Sequence, residues 1–173
     1  MILYHISENT ETVIKKFIPR IPSCTAGGED RSIKRICVSS SIECAMMGYP
    51  YSMDIIRDIY SREGMSRRVR VYTFNIEDIK EDDLVLTSKL IEDNLVPDAH
   101  ISKEIWILNE IEPTHCFDIF DIRYEIDESV IEPPELREYI IKKDFDDDFD
   151  VADCAWDRIP SIQKIQYSKV DIF

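Results

Sequence analysis

Three groups of residues in this 173-residue chain are of types that could do chemistry together. His5, in the opening "ILYHIS", is one of three histidines, and an imidazole at a strand end can offer a nitrogen to a ligand hydroxyl at neutral pH. Ser39, Ser40 and Ser41 close the "ICV" run where a helix would begin, so that hydroxyls and free backbone N–H groups could orient a carboxylate or touch a ligand. Glu104 enters the apolar "EIWIL" from a turn. A carboxylate there could accept from a sugar hydroxyl and stabilise positive charge developing on an anomeric carbon, as glycosidic cleavage requires. Each group also has an ordinary structural reading: a packed histidine bonded to backbone, a helix N-cap with two turn serines, and one solvated acid among 35. Asp98 and His100 are rivals for the role of Glu104. No GxSxG elbow surrounds the serines, so their value would be positional.

The elements that must position these residues follow from periodicity and punctuation. Residues 2–6 alternate as a strand, and "SENTETVIKKF" follows, in which Ser7 or Asn9 could cap a short helix carrying Val13, Ile14 and Phe17. Two prolines, two adjacent glycines and several small polar residues mark residues 19–32 as an irregular loop, the kind that often binds or covers a ligand. Ile36–Ser39 reads as a buried strand and Ser41 as the N-cap of the next helix. Residues 52–63 suit an amphipathic helix closed by Gly64. "RRVRVYTFNI" alternates with period two, setting Val69, Val71 and Thr73 opposite Arg70, Tyr72 and Phe74. "DLVLTS", "KEIWILNEI", "HCFDIFDIRYEI" and the terminal "KIQYSKVDIF" are further strands, with a helix predicted in "PPELREYIIKK" between the last two. The fold class is α+β in a single domain over residues 1–173, its helices mostly in the N-terminal half and its antiparallel strands later.

Charge narrows the partners. The formal net charge is −14, and such a surface repels phosphate backbones, because nucleic-acid affinity depends on Lys and Arg displacing counterions. Direct DNA or RNA binding is not expected. The five cysteines are irregularly spaced without a CxxC pair and read as reduced thiols, and no zinc spacing is present. With neither an apolar run long enough for a membrane span nor a signal-peptide pattern, the expected location is the cytoplasm.

Taken in order, "YHIS", a loop holding "GGED", the strand-to-helix "VSSS" and then "SKEIWIL" resemble the ADP-ribosyltransferase-like fold, a split antiparallel sheet that binds NAD in a central cleft. The resemblance covers residues 2–126. The outline is also similar to small phage-encoded proteins, some of which use this fold against bacterial defence systems. The resemblance implies that NAD is the substrate, that His5 contacts its adenosine-side ribose, and that Ser39 or Ser41 shapes the nicotinamide pocket and braces Glu104. Glu104 would bond the nicotinamide ribose as nicotinamide leaves. Arg20 could meet the pyrophosphate through its planar guanidinium fork, with Arg31 and Arg35 as similar candidates. The chain departs from the family by pairing a first-strand histidine with a serine-rich second motif. It also carries Ser102 where arginine-modifying members often have Glu or Gln, which points to a protein or small-molecule acceptor other than arginine. The rival reading is a non-catalytic acidic binding protein that inhibits a nucleic-acid-binding target, using the acidic segment 143–157 with Phe145, Phe149 and Trp156 as anchors.

Overall fold

The computed structural model describes residues 1–23, 25, 28–48, 67–97, 99–126 and 162–173. The helices expected over 52–63 and within "PPELREYIIKK", and the acidic segment 143–157, lie outside the described residues.

The elements in chain order are β1 (Ile2–Ser7), β2 (Ile36–Ser39), α1 (Ile42–Met47), β3 (Val69–Asn75), β4 (Leu84–Val85), α2 (Thr87–Glu92), α3 (Ala99–Ser102), β5 (Glu104–Ile107), β6 (His115–Ile126) and β7 (Ile162–Asp171). The described strands form one seven-stranded sheet in the order β4-β5-β2-β1-β3-β6-β7, every neighbouring pair antiparallel. This is an α+β architecture with a sheet core, its described helices all preceding β5.

Period-two alternation decides what each face buries. On β3, Val69 and Val71 join Ile6, Phe117, Ile119 and the α1 residues Ile42, Ala45 and Met46 on one face. Tyr72 and Phe74 join Leu3, Phe17, Ile36, Val38, Ile105 and Ile107 on the other. β6 keeps its apolar residues inward despite its length because Asp121, at φ 53, takes up an irregularity in the pairing with β7. The extra residue returns Ile122 to the face of Phe117 and Ile119. A third apolar cluster, Leu90, Val96, Ala99 and Trp106, seats α2 and α3 against β5.

Three local expectations meet different outcomes. Ser41 caps α1, its hydroxyl accepting from the Cys44 N–H at 3.1 Å. Asn9 also behaves as a cap, its side-chain oxygen accepting from the N–H groups of Glu11 and Thr12, yet no helix follows. The carbonyls of Thr10 and Thr12, which a helical ladder would use, accept instead from the Arg70 guanidinium at 2.6 and 2.8 Å. The Ile14 N–H donates to the Tyr72 hydroxyl, and Phe17 pairs with Ile111 through backbone bonds. "DLVLTS" yields only the two-residue β4 before α2 begins at Thr87, whose hydroxyl donates to the Glu104 carbonyl at 2.7 Å.

The cap at Ser41 supports one prediction. Ser41→Ala should lower stability by about 1 kcal/mol, because it strips one N–H of α1 of its acceptor. Chemical denaturation measures this, and ligand binding should be unchanged because the hydroxyl is already committed to the cap.

Candidate functional site in the cleft between two strands

β1 pairs with β3 through six consecutive residues but with β2 only at Tyr4↔Ser39. The sheet therefore parts between its first two strands, and a cleft of about 910 Å3 opens there. It is lined by His5, Ser39 and Glu104, and by Arg20 and Arg35 from the intervening loop. Four of the five residues selected from sequence thus share one cavity. Ser41 is not among its lining residues and serves α1 as its cap.

His5 fills part of the gap between the strands. Its Nδ1 lies 2.8 Å from the Cys37 carbonyl, and because a carbonyl only accepts, Nδ1 carries the proton. Nε2 is then left as a lone-pair acceptor, with no partner among the described residues. Burial is the main influence holding the imidazole below its ordinary pKa; the nearby Arg20 charge acts in the same direction and the Cys37 bond opposes it. The ring stands edge-on to Phe17 at 5.0 Å, which fixes its plane.

Ser39 sits between Tyr4 on β1 and Glu104 on β5 in the sheet register. It is only 4% exposed, and its hydroxyl has no hydrogen-bond partner among the described residues, although the residue lines the cleft. A serine so placed is available to a ligand.

The expected bracing of Glu104 by serine is replaced by another donor. Trp106 Nε1 donates to Glu104 Oε1 at 2.7 Å, and Cys37, the cross-strand partner of Trp106, lies on the same sheet face. Period two explains the set: Glu104 and Trp106 share one face of β5, opposite Ser39 and Cys37 on the same face of β2. Burial raises the Glu104 pKa above its usual range, while the neighbouring Cys37 thiol, the bond from Trp106 and the charge of Arg35 pull it down and Glu29 adds to the rise. Burial, with the adjacent Glu104 charge, pushes the Cys37 thiol well above its ordinary range, so it stays protonated.

The arginines divide. Arg35 is buried, ion-paired with Glu29, bonded through Nη1 to the Ile33 carbonyl, and stacked over the Trp106 ring with Cζ 4.0 Å from its centroid. Its Nε is buried with no acceptor among the described residues. Arg20 faces Arg35 across a two-residue antiparallel bridge, and its exposed guanidinium has no partner among the described residues. Arg31 instead donates to the Thr25 hydroxyl. Of the two rivals to Glu104, His100 is exposed on α3, and Asp98 lies outside the described residues.

Sequence reading missed Trp106 and Cys37 because both sit in apolar strands and look like core. Their visible signal was spacing: each lies two residues from a selected residue, and so on the same strand face. Among the described residues, no group of three or more His, Cys, Asp or Glu side chains is arranged to hold a metal ion, and no helix is long and apolar enough to cross a membrane. The chain matches no protein-family model, no curated protein and no solved structure.

Proposed function

We infer that the chain is an ADP-ribosyltransferase-like enzyme that cleaves the nicotinamide–ribose bond of NAD and transfers ADP-ribose to a protein or small-molecule acceptor. The observation that carries this reading is that His5, Arg20, Ser39 and Glu104 all line the cleft where β1 and β2 part, His5 from the sheet face of Leu3 and Phe17 and the Ser39–Glu104 pair from the other.

Each side chain suits one part of the dinucleotide. The neutral His5 accepts a ribose hydroxyl at Nε2, and Arg20 offers its open guanidinium to the pyrophosphate, a local attraction in a chain whose net charge is −14. The unpartnered Ser39 hydroxyl bonds the nicotinamide amide. Glu104 accepts from the nicotinamide ribose and stabilises that sugar as it gains oxocarbenium character. The C–N bond breaks with its electron pair leaving on nicotinamide, and the acceptor nucleophile, or water, then bonds the anomeric carbon and loses its proton. Ser102, 5% exposed, contributes no carboxylate or amide beside Glu104, which favours acceptors other than arginine.

The test is nicotinamide release from NAD by the purified protein, with and without cell lysate as a source of acceptor, beside a thermal-shift titration with NAD. Release is expected, together with a rise in melting temperature that grows with NAD concentration. Arg20→Ala should weaken NAD binding about tenfold without lowering the melting temperature of the free protein, since its guanidinium holds nothing else among the described residues. Absence of both release and thermal shift would remove this reading.

A further inference from the structure

We propose that Trp106 is a positioning residue that holds the Glu104 carboxylate aimed into the cleft, the task assigned by resemblance to serine. The inference rests on the reading of Glu104 as the catalytic carboxylate, and it assigns to this chain a support built from its own residues.

The geometry leaves Ser39 out of the clamp. Ser39 stands directly opposite Glu104 in the register but gives it no hydrogen bond, whereas Trp106 Nε1 reaches Oε1 at 2.7 Å. Cys37 is the cross-strand partner of Trp106, so the thiol lies beside the indole on the sheet face that carries Glu104. Trp106 is fully buried, and the Arg35 guanidinium stacked on its ring, itself anchored by Glu29 and the Ile33 carbonyl, fixes the plane in which the indole N–H points. An indole nitrogen donates only, so it cannot turn round and compete for the carboxylate's proton. A carboxylate that keeps a donor on the side facing the protein presents its remaining lone pairs to the cleft, and a bond to the charged form favours that form against the pull of burial. Ser39 is thereby released for the ligand.

The charged groups that act on Glu104 are Arg35, entering β2, and Glu29, in the preceding loop. On the helices packed against β5, Lys89 is paired on the exposed side with Glu92 and Asp93, and His100 is exposed. A change in the titration of Glu104 when a clamp residue is altered therefore reports the lost bond, provided that the Glu29–Arg35 pair persists.

The experiment follows the Glu104 carboxyl by 13C NMR in glutamate-labelled protein, its signal assigned by its absence from Glu104→Gln, in the wild type and Trp106→Phe. Phenylalanine keeps an aromatic ring under Arg35 while removing the N–H together with part of the indole's bulk. Trp106→Phe should titrate at higher pH than the wild type, and the acid limb of kcat should move in the same direction. In Trp106→Phe, kcat should fall about tenfold with KM for NAD little changed, as for one lost bond to a charged group. A merely structural role would lower stability and leave the titration where it was, and an unmoved Glu104 signal in a folded variant overturns the inference. Should Trp106→Phe not fold, the Trp106 indole N–H signal decides: it should shift with the Glu104 titration in the wild type and stay fixed in Glu104→Gln, and an indole signal indifferent to that titration overturns the inference. Because the titration needs no turnover, a shifted signal without nicotinamide release by the wild type would sink the proposed activity while leaving the clamp standing.

Discussion

Glu104→Gln is expected to cut nicotinamide release at least about a hundredfold and, in the same variant, to raise the melting temperature at pH 7 by about 3 °C, equivalent to about 1 kcal/mol. The first effect follows from charge. Glutamine keeps an oxygen that Trp106 can bond but has no negative charge to oppose an oxocarbenium ion, so the loss belongs to the transition state and falls on kcat more than on KM. The second follows from linkage. Burial raises the folded-state pKa of Glu104 above its value of 4.5 in an unfolded chain, so the folded state binds the proton more tightly. Its contribution to stability is fully present below pH 4.5 and is lost as pH rises through the folded-state value. At neutral pH the buried charge is therefore a cost that glutamine avoids. The difference in melting temperature should shrink as pH falls toward 4.5 and the wild-type carboxyl protonates.

His5 acts on the opposite side of this balance. Its folded-state pKa lies below the 6.5 of an unfolded histidine, so the stability linked to its neutral form is present above pH 6.5 and lost as pH falls through the folded-state value. Comparing Glu104→Gln with the wild type at each pH cancels this contribution, because His5 is common to both. Melting curves over a pH series, alongside release assays at pH 7, measure both arms. A variant that loses activity without gaining stability would show that Glu104 is solvated rather than held in a buried site.

How much of this was legible beforehand depended on whether the deciding contacts were local. The strands at Ile36–Ser39, Val69–Asn75 and His115–Ile126 were readable because β-branched and aromatic residues alternate there with the two-residue period of a half-buried sheet. The Ser41 cap was readable for a similar reason, since a cap is settled by residues within one turn. The absent helix after Asn9 was not. Its N-terminal signal is present and functions, but Arg70, 58 residues from Thr12, captures the carbonyls that would have continued it. In the site, His5, Ser39 and Glu104 were legible as residue types at strand ends. That they share a cleft depends on β1 and β2 pairing at a single position, which no window of sequence encodes. Trp106 was hidden because an apolar strand residue and a polar donor are the same residue here.

Arg70 itself carries the other large expected effect. Arg70→Met should destabilise the fold by about 3–5 kcal/mol, whereas Arg70→Met combined with Asp118→Leu should recover most of that loss. Arg70 and Asp118 are register partners on β3 and β6, both nearly fully buried, joined by Nε to Oδ1 at 2.7 Å and Nη2 to Oδ2 at 3.2 Å. The bond to Asp118 is the main influence raising the Arg70 pKa, so the guanidinium stays charged at any working pH. Removing Arg70 alone leaves a buried carboxylate without its partner, with only the exposed Arg68, 3.9 Å away, near enough to compensate among the described residues. Against a total stability of about 5–15 kcal/mol, that loss would leave a large fraction of the chain unfolded on mild heating. Removing both charges leaves neither uncompensated. The double variant does not restore the bonds from Arg70 to the Thr10 and Thr12 carbonyls, which pin the start of the segment that carries Phe17 and Arg20 into the cleft. It should therefore be nearly as stable as the wild type by urea denaturation yet bind NAD more weakly in the thermal-shift assay. Recovery of stability together with full NAD affinity would show that the ion pair serves packing alone. Recovered stability with weakened binding would show that Arg70 exchanges a possible helix for a strap fixed over the site.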